Sequence, residues 1–268
     1  MPLFQRAVFA PPFTLQGELN NVACFFYLVQ GALTSYDARG VHYTARKNAV
    51  LKNCGRYIQQ FTSKDKSEDS EAIVVYLYPQ LLKEIYKDEL PSFLKVKELQ
   101  APKKFIGNQL VEQYMSNLSL YFEDPEAFDE ELGILKLKEL MLILLKSENH
   151  QNIRKLLSEV FTPVNIELKQ VIENNLFNNL SIEQLAFISN MSLSKFKREF
   201  KKTFAETPAR YIKNRRLLAA QKRLLTTDDS ITEIAFSLGF IDVSTFSAVF
   251  HDKFKLSPSK YRLSQKGD

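Results

Sequence analysis

Apolar residues in this chain first alternate like strand residues, then recur at helical spacing, and finally fall into a pattern that occurs twice. Between Asn21 and Pro79 they alternate with polar ones or form short blocks rich in Val, Ile, Tyr and Phe. This predicts strands over Val22–Gln30, Leu33–Tyr36, Val41–Thr44, Ala49–Asn53, Tyr57–Phe61 and Ala72–Tyr78. Asp37-Ala38-Arg39-Gly40 is a hairpin break, and Lys64–Glu71 reads as a charged loop. From Gln80 the spacing is helical, with helices expected over Phe105–Phe122 and Pro125–Lys146. Leu132, Leu135, Leu137, Leu140, Met141, Leu144 and Leu145 give the second of these more apolar surface than one narrow stripe. Part of it must pack on the strands, and the rest predicts a homodimer interface across Phe105–Lys146. Ser158–Asn165, with Pro163, reads as a linker. The expected fold class is α+β: a β-rich, small-barrel or cupin-like domain with helices (1–160, strands in 20–79, helices in 80–160), then an all-α domain (162–268).

The all-α part is decided by the repeat. Ser181, Ile182, Leu185, Ala186 and Phe187 match Ser230, Ile231, Ile234, Ala235 and Phe236 at an offset of 49. Phe196, Phe200, Phe204, Pro208 and Tyr211 match Phe246, Phe250, Phe254, Pro258 and Tyr261 at an offset of 50. The one-residue change falls in the turn between, where length varies cheaply. Each copy parses as two short helices around a turn, within 181–204 and 230–254. Ser181 with Gln184, and Ser230 with Glu233, are capping boxes. Gly239 sits where a turn needs positive φ, and Asn190 takes the equivalent place. Phe at i, i+4 and i+8 makes a buried stripe on each second helix. Pro208–Thr226 opens with Pro and contains no breaker, so one long helix joins the copies.

Charge sharpens this picture. The chain carries 36 Lys and Arg against 31 Asp and Glu. The excess is C-terminal: from Phe161 onward there are 17 basic and 11 acidic residues. Opposite the first Phe stripe lie Ser194, Lys195, Lys197, Arg198, Lys201 and Lys202, just after Ser192. A basic, hydrogen-bonding face on the second helix of a helix-turn-helix suits entry into the major groove of duplex DNA. The second copy offers Ser244, Thr245 and Lys253.

Arg216-Leu217, Ala220, Leu224, Ile231-Thr232-Glu233-Ile234-Ala235-Phe236, Gly239-Phe240, Phe246, Phe250 and Ser257-Pro258 resemble the signature of AraC/XylS-type transcriptional regulators, over about Val164 to Arg262. The resemblance implies a DNA-binding transcription regulator, an activator, with double-stranded promoter DNA and RNA polymerase as partners. It implies base reading at the positions of Ser194, Lys197 and Arg198, and of Ser244, Thr245 and Ala248. Ala248 departs from the pattern, because alanine has no hydrogen-bonding group. Ala205 and Lys255 depart too, standing where the family has glycine before Thr207-Pro208 and Ser257-Pro258. In such regulators the N-terminal domain takes up a small molecule, or dimerises and meets a regulatory protein; the residues leave both open.

The N-terminal part shows no catalytic constellation. Its two cysteines, Cys24 and Cys54, form no CxxC, and the three histidines, His42, His150 and His251, lie far apart, so no metal or other cofactor is expected. Tyr27, Tyr36, Tyr43 and Tyr57 are either pocket aromatics or strand packing. Met1–Pro12 lacks an apolar signal region and no apolar run could span a bilayer, so a cytoplasmic protein without membrane contact is expected. The alternative is a small-molecule-binding cupin-like enzyme with an accessory nucleic-acid-binding domain.

Overall fold

Strands form where β-branched and aromatic residues are dense, because a pleated, half-buried surface suits their stiff side chains. The computed structural model describes residues 2–62, 69–86, 109–124, 126, 128–147, 150–161 and 165–266. Its strands are β1 (Phe4–Phe9), β2 (Phe13–Leu19), β3 (Ala23–Gln30), β4 (Ala32–Asp37), β5 (Gly40–Ala45), β6 (Asn48–Lys52), β7 (Gly55–Thr62) and β8 (Ser70–Leu77). They make two four-stranded sheets, ordered β1-β8-β3-β6 and β2-β7-β4-β5. Phe25 stands opposite both Val75 and Leu51, and Gln59 opposite both Leu15 and Ser35. The strand region therefore begins well before residue 20, which corrects the sequence reading. β1 and β2 are edge strands whose alternating polar side chains stay exposed, so their apolar signal is weak. The expected loop ends earlier than Glu71, since Ser70 and Glu71 belong to β8; residues 64–68 lie outside the described residues.

Among the described residues the helices α1 (Pro79–Tyr86), α2 (Gln109–Tyr121), α3 (Glu130–Lys146) and α4 (His150–Phe161) follow. α3 starts at Glu130 rather than Pro125, because the Asp129 carboxylate accepts from the Leu132 amide at 2.8 Å and caps the helix there. Residues 105–108 of the expected first helix lie outside the described residues. Ser158–Phe161 are helical rather than linker, because α4 buries Ile153, Leu156, Leu157 and Val160 along one face. Pro163 lies outside the described residues. One face of the β1-β8-β3-β6 sheet packs on α2, α3 and α4 through Phe25, Leu51, Val75, Met115, Leu140 and Leu157. Leu137, Leu140, Met141 and Leu144 are core residues here, which removes them from the expected dimer surface. Leu135 and Leu142, 55% and 54% exposed, remain on it.

The second core lies between the sheets, around Cys24, Phe26, Leu28, Leu33, Val50 and Phe61. Lys52 enters it with 3% exposure. Its ammonium donates to Ser35 Oγ at 3.0 Å and lies 3.7 Å from the centre of the Tyr57 ring. Burial disfavours the charged form and lowers its pKa to about 7.

A second compact unit begins at Ile166, where the first ends at Asn165. It contains α5 (Leu168–Asn175), α6 (Ile182–Ile188), α7 (Leu193–Phe204), α8 (Pro208–Thr226), α9 (Ile231–Ser237), α10 (Val243–Phe254) and α11 (Pro258–Lys266). Among the described residues no helix is long and apolar enough to cross a membrane.

Candidate nucleic-acid interface

Both copies of the repeat are built by the same local devices. Ser181 and Ser230 each accept from the amide three residues on, and Gln184 and Glu233 each accept from the cap's own amide, so both capping boxes are complete. The turns follow at Asn190 (φ 55°) and Gly239 (φ 79°). Each second helix then turns its Phe stripe inward. Phe196, Phe200, Phe246 and Phe250 are fully buried. Phe200 meets Tyr211 edge-on at 5.6 Å, and Phe250 meets Tyr261 edge-on at 5.5 Å. α7 and α10 end on Ala205 (φ 57°) and Lys255 (φ 62°), so the left-handed termini form without glycine, at the cost of steric strain.

With the aromatics inside, the opposite faces are left to solvent. Ser194, Lys197, Arg198 and Lys201 share the outward line of α7, and Lys195 and Lys202 flank it; all six are exposed. Arg198 is 73% exposed at its side chain and meets the neighbouring Glu199 at 3.4 Å. Ser192 has a different job: its hydroxyl caps α7 by accepting from the Lys195 amide. On α10 the equivalent line is Ser244, Ser247, Ala248 and His251, with Thr245 beside it. Asp242 caps this helix, accepting from the Thr245 amide at 2.6 Å and the Thr245 hydroxyl at 2.8 Å. The backbone amide at Thr245 holds the Asp242 carboxyl below the usual carboxylate range. Thr245 thus faces outward with its proton committed and its lone pairs free. Lys253 donates to Asn214 Oδ1 on α8 at 3.1 Å. His251, equivalent to the basic Lys201, is exposed and escaped the sequence reading, as did Arg210 and Lys213, exposed on α8. The offset of 50 points to His251; nothing in the repeat singles out the other two.

α8 fixes one copy relative to the other. Its Arg216 guanidinium donates through Nε to the Leu176 carbonyl (2.8 Å), through Nη1 to the Gly239 carbonyl (2.7 Å) and through Nη2 to the Asn178 carbonyl (2.6 Å). The segment entering the first copy and the turn of the second are thus held by one side chain. Arg215 adds a bidentate pair with Glu173 at 2.9 and 3.0 Å, supported by the Tyr211 hydroxyl.

Comparison with known proteins agrees with this geometry. A family model described as a helix-turn-helix domain matches residues 185–264, and one described as the ExsA N-terminal regulatory domain matches residues 23–156, half of the chain. The chain belongs to the AraC/XylS-type transcriptional regulators. The HTH-type transcriptional regulator ExsA of Pseudomonas aeruginosa is 24% identical over 255 residues, 93% of this chain and 89% of that protein. The virulence regulon transcriptional activator VirF of Yersinia enterocolitica is 28% identical over 156 residues, 58% of this chain and 57% of that one. The HTH-type transcriptional activator RhaS of an Enterobacter strain is 34% identical over 96 residues, 36% of this chain and 34% of that one. Only the first of these matches spans more than two thirds of its relative. This AraC-type regulator is therefore a DNA-binding transcription regulator with a β-rich N-terminal domain and an all-helical C-terminal domain carrying two helix-turn-helix units.

Proposed function

We propose that this regulator grips two consecutive major grooves of promoter DNA with one monomer and activates transcription there through RNA polymerase. The observation that supports the grip is Arg216 joining both copies across an unbroken α8. That helix has 19 residues, a rod of roughly 28 Å, and successive grooves on one face of B-DNA lie roughly 34 Å apart. Ser194, Lys197 and Arg198 read bases, Lys195, Lys201 and Lys202 hold phosphates, and Ser192 contributes by capping their helix. The second copy reads weakly, through Ser244 and Thr245, with Lys253 on the backbone. Selection from random DNA tests this asymmetry. Arg198→Ala is expected to relax preference at one half-site, where a good guanine contact is worth about 1–3 kcal/mol. Ser244→Ala is expected to weaken binding with little change in preference. Equal loss of preference in both variants refutes the asymmetric reading.

The domain 1–160 regulates the domain 162–268 in response to an effector and performs no chemistry of its own, which sets aside the cupin-like enzyme. ExsA, whose regulatory-domain model covers this part, is named a regulator, and VirF and RhaS are named activators. The protein works in the cytoplasm. It is a homodimer, and the exposed Leu135 and Leu142, one heptad apart on α3, contribute to the interface together with Leu110 and Leu120 on α2. Leu135→Glu with Leu142→Glu is expected to give a folded monomer by sedimentation, whereas Leu144→Glu in the core is expected to unfold the domain. A wild-type chain that stays monomeric at micromolar concentration overturns the dimer.

A further inference from the structure

The outward faces of α7 and α10 differ in the reach of their side chains. At an offset of 50, the exposed Ser194, Lys195, Arg198 and Lys202 of α7 become Ser244, Thr245, Ala248 and Asp252 on α10, all exposed as well. Long cations give way to short side chains, and the acid among them faces Lys255 at 3.9 Å. Side chains as short as Ser, Thr and Ala cannot reach a base edge from a distance. The helix backbone has to come closer to the floor of the groove, and what then touches the bases is a methyl group or a short hydroxyl. The N-terminal residues of such a helix are the ones that meet base edges, and on α10 those are Ser244, Thr245 and Ala248.

Thr245 is also held more firmly than its equivalent. One oxygen of the Asp242 cap accepts from the Thr245 amide at 2.6 Å and the other from the Thr245 hydroxyl at 2.8 Å. In the first copy Ser192 accepts from the Lys195 amide at 3.3 Å, and Lys195 has no hydroxyl to add a second bond. A β-branched side chain tied to its cap is confined to one χ1 setting, so the methyl is fixed with the hydroxyl. With its proton given to Asp242, that hydroxyl cannot donate to thymine O4 or to a purine N7. Ala248 follows three residues on, which puts the two Cβ atoms about 5–6 Å apart on the helix surface. That separation falls between one and two base-pair steps of about 3.4 Å. Ile241, directly before the cap, is 75% exposed rather than packed back on the helix, as an apolar residue at that position commonly is. The entering end of α10 thus carries apolar contact groups where α7 carries cations.

We propose that the second helix-turn-helix unit selects thymine, through contact of the Thr245 methyl and of Ala248 with the C5-methyl groups of neighbouring thymines in the major groove. Of the four bases thymine alone presents a methyl there, and short apolar groups are what meets it. The proposal rests on the two-groove reading given above and specifies the base that the weaker half-site selects. Hydrogen bonds from Lys197 and Arg198 then set one half-site, and methyl contact sets the other.

The test uses the full chain, an operator obtained by selection from random duplex DNA, and gel shift as the readout. Each thymine of the operator is replaced in turn by uracil, which pairs in the same way but lacks the methyl. The wild-type chain is expected to lose roughly fourfold in affinity at each of two neighbouring thymines, the scale of one buried methyl group. Thr245→Ser keeps the hydroxyl for its bond to Asp242 and deletes the methyl alone. It is expected to bind the thymine operator several-fold more weakly and to ignore uracil at one of the two positions. Ala248→Gly is expected to ignore uracil at the other. Each variant is compared with itself on the two duplexes, which cancels any loss of helix stability. Where a sensitive thymine is exchanged for cytosine, 5-methylcytosine is expected to bind better than cytosine. Wild-type binding that ignores uracil throughout the operator overturns the proposal, as does a uracil penalty undiminished in both variants. A chain that binds no duplex refutes the two-groove reading together with this one. A chain that selects an operator yet ignores uracil keeps the two-groove reading and loses thymine selection.

Discussion

Replacing Arg216 by Met should separate the two helix-turn-helix units without disturbing either face that meets DNA. The methionine fills much of the aliphatic volume and removes all three donors. The Leu176, Gly239 and Asn178 carbonyls, bonded at 2.6–2.8 Å, then lose their shared partner. A hydrogen bond from a charged donor contributes about 1.5–3 kcal/mol, and three such bonds from one group are not additive. Some of the exposed carbonyls recover water, because the arginine is only half-buried. The expected loss is therefore about 3–5 kcal/mol, a large share of the ~5–15 kcal/mol available to an ordinary domain. Arg216→Lys should recover only part of it, since a single ammonium cannot span three carbonyls that a planar fork reaches together. Urea unfolding of the full chain followed by circular dichroism gives the stability. Hydrogen exchange of the peptides around Leu176–Leu180 and Leu238–Ile241 shows whether the loosening is local to the clamp. DNA affinity should fall further than the unfolded fraction explains, because the units lose their fixed separation. A loss below about 1 kcal/mol, or a lysine variant equal to wild type, refutes this account of Arg216.

Gly239→Ala attacks the same junction from the other side. Its φ of 79° is strained for alanine, and the new Cβ would lie 2.6 Å from the Phe177 carbonyl oxygen and 2.9 Å from Arg216 Cζ, so a loss of about 2–4 kcal/mol is expected in urea unfolding. Lys255→Gly relieves a left-handed residue at φ 62° and should stabilise the second unit by up to about 1 kcal/mol, raising its melting temperature with DNA affinity unchanged. Lys52 predicts a pH dependence. Its folded pKa, about 7, lies below the ordinary 10.5, so above pH 7 the unfolded chain holds a proton that the folded chain lacks, and stability rises with pH. The Cys24 thiol, pushed up to about 12 by burial, opposes this only above its ordinary 9.0, so the clean window is pH 7–9. Urea unfolding there should show a rise of about 2 kcal/mol that Lys52→Met abolishes, with the variant more stable than wild type at pH 7.

The C-terminal unit was legible in the sequence because its determinants are local and occur twice. Capping boxes at Ser181 and Ser230, Phe stripes at helical spacing, and positive-φ turns at Asn190 and Gly239 each need only a few neighbouring residues to act. The repeat aligned them, so the outer limits of the two units and the whole of α8 agree with the sequence reading nearly to the residue. The N-terminal sheets were read less completely. Edge strands β1 and β2 bury too little to show an apolar period, and α4 became visible as a helix only through the face it buries. The fate of the leucines on α3 was not readable at all. Leu137 and Leu144 are apolar in the same way as Leu135 and Leu142, and only packing against the sheet decides which pair is core. The sequence marked Arg216 by resemblance but assigned it no task, because its three carbonyl partners come from Leu176, Asn178 and Gly239, distant along the chain. Periodicity and caps act within one or two turns of chain and can be read from it, whereas burial and the pairing of distant groups belong to the folded molecule.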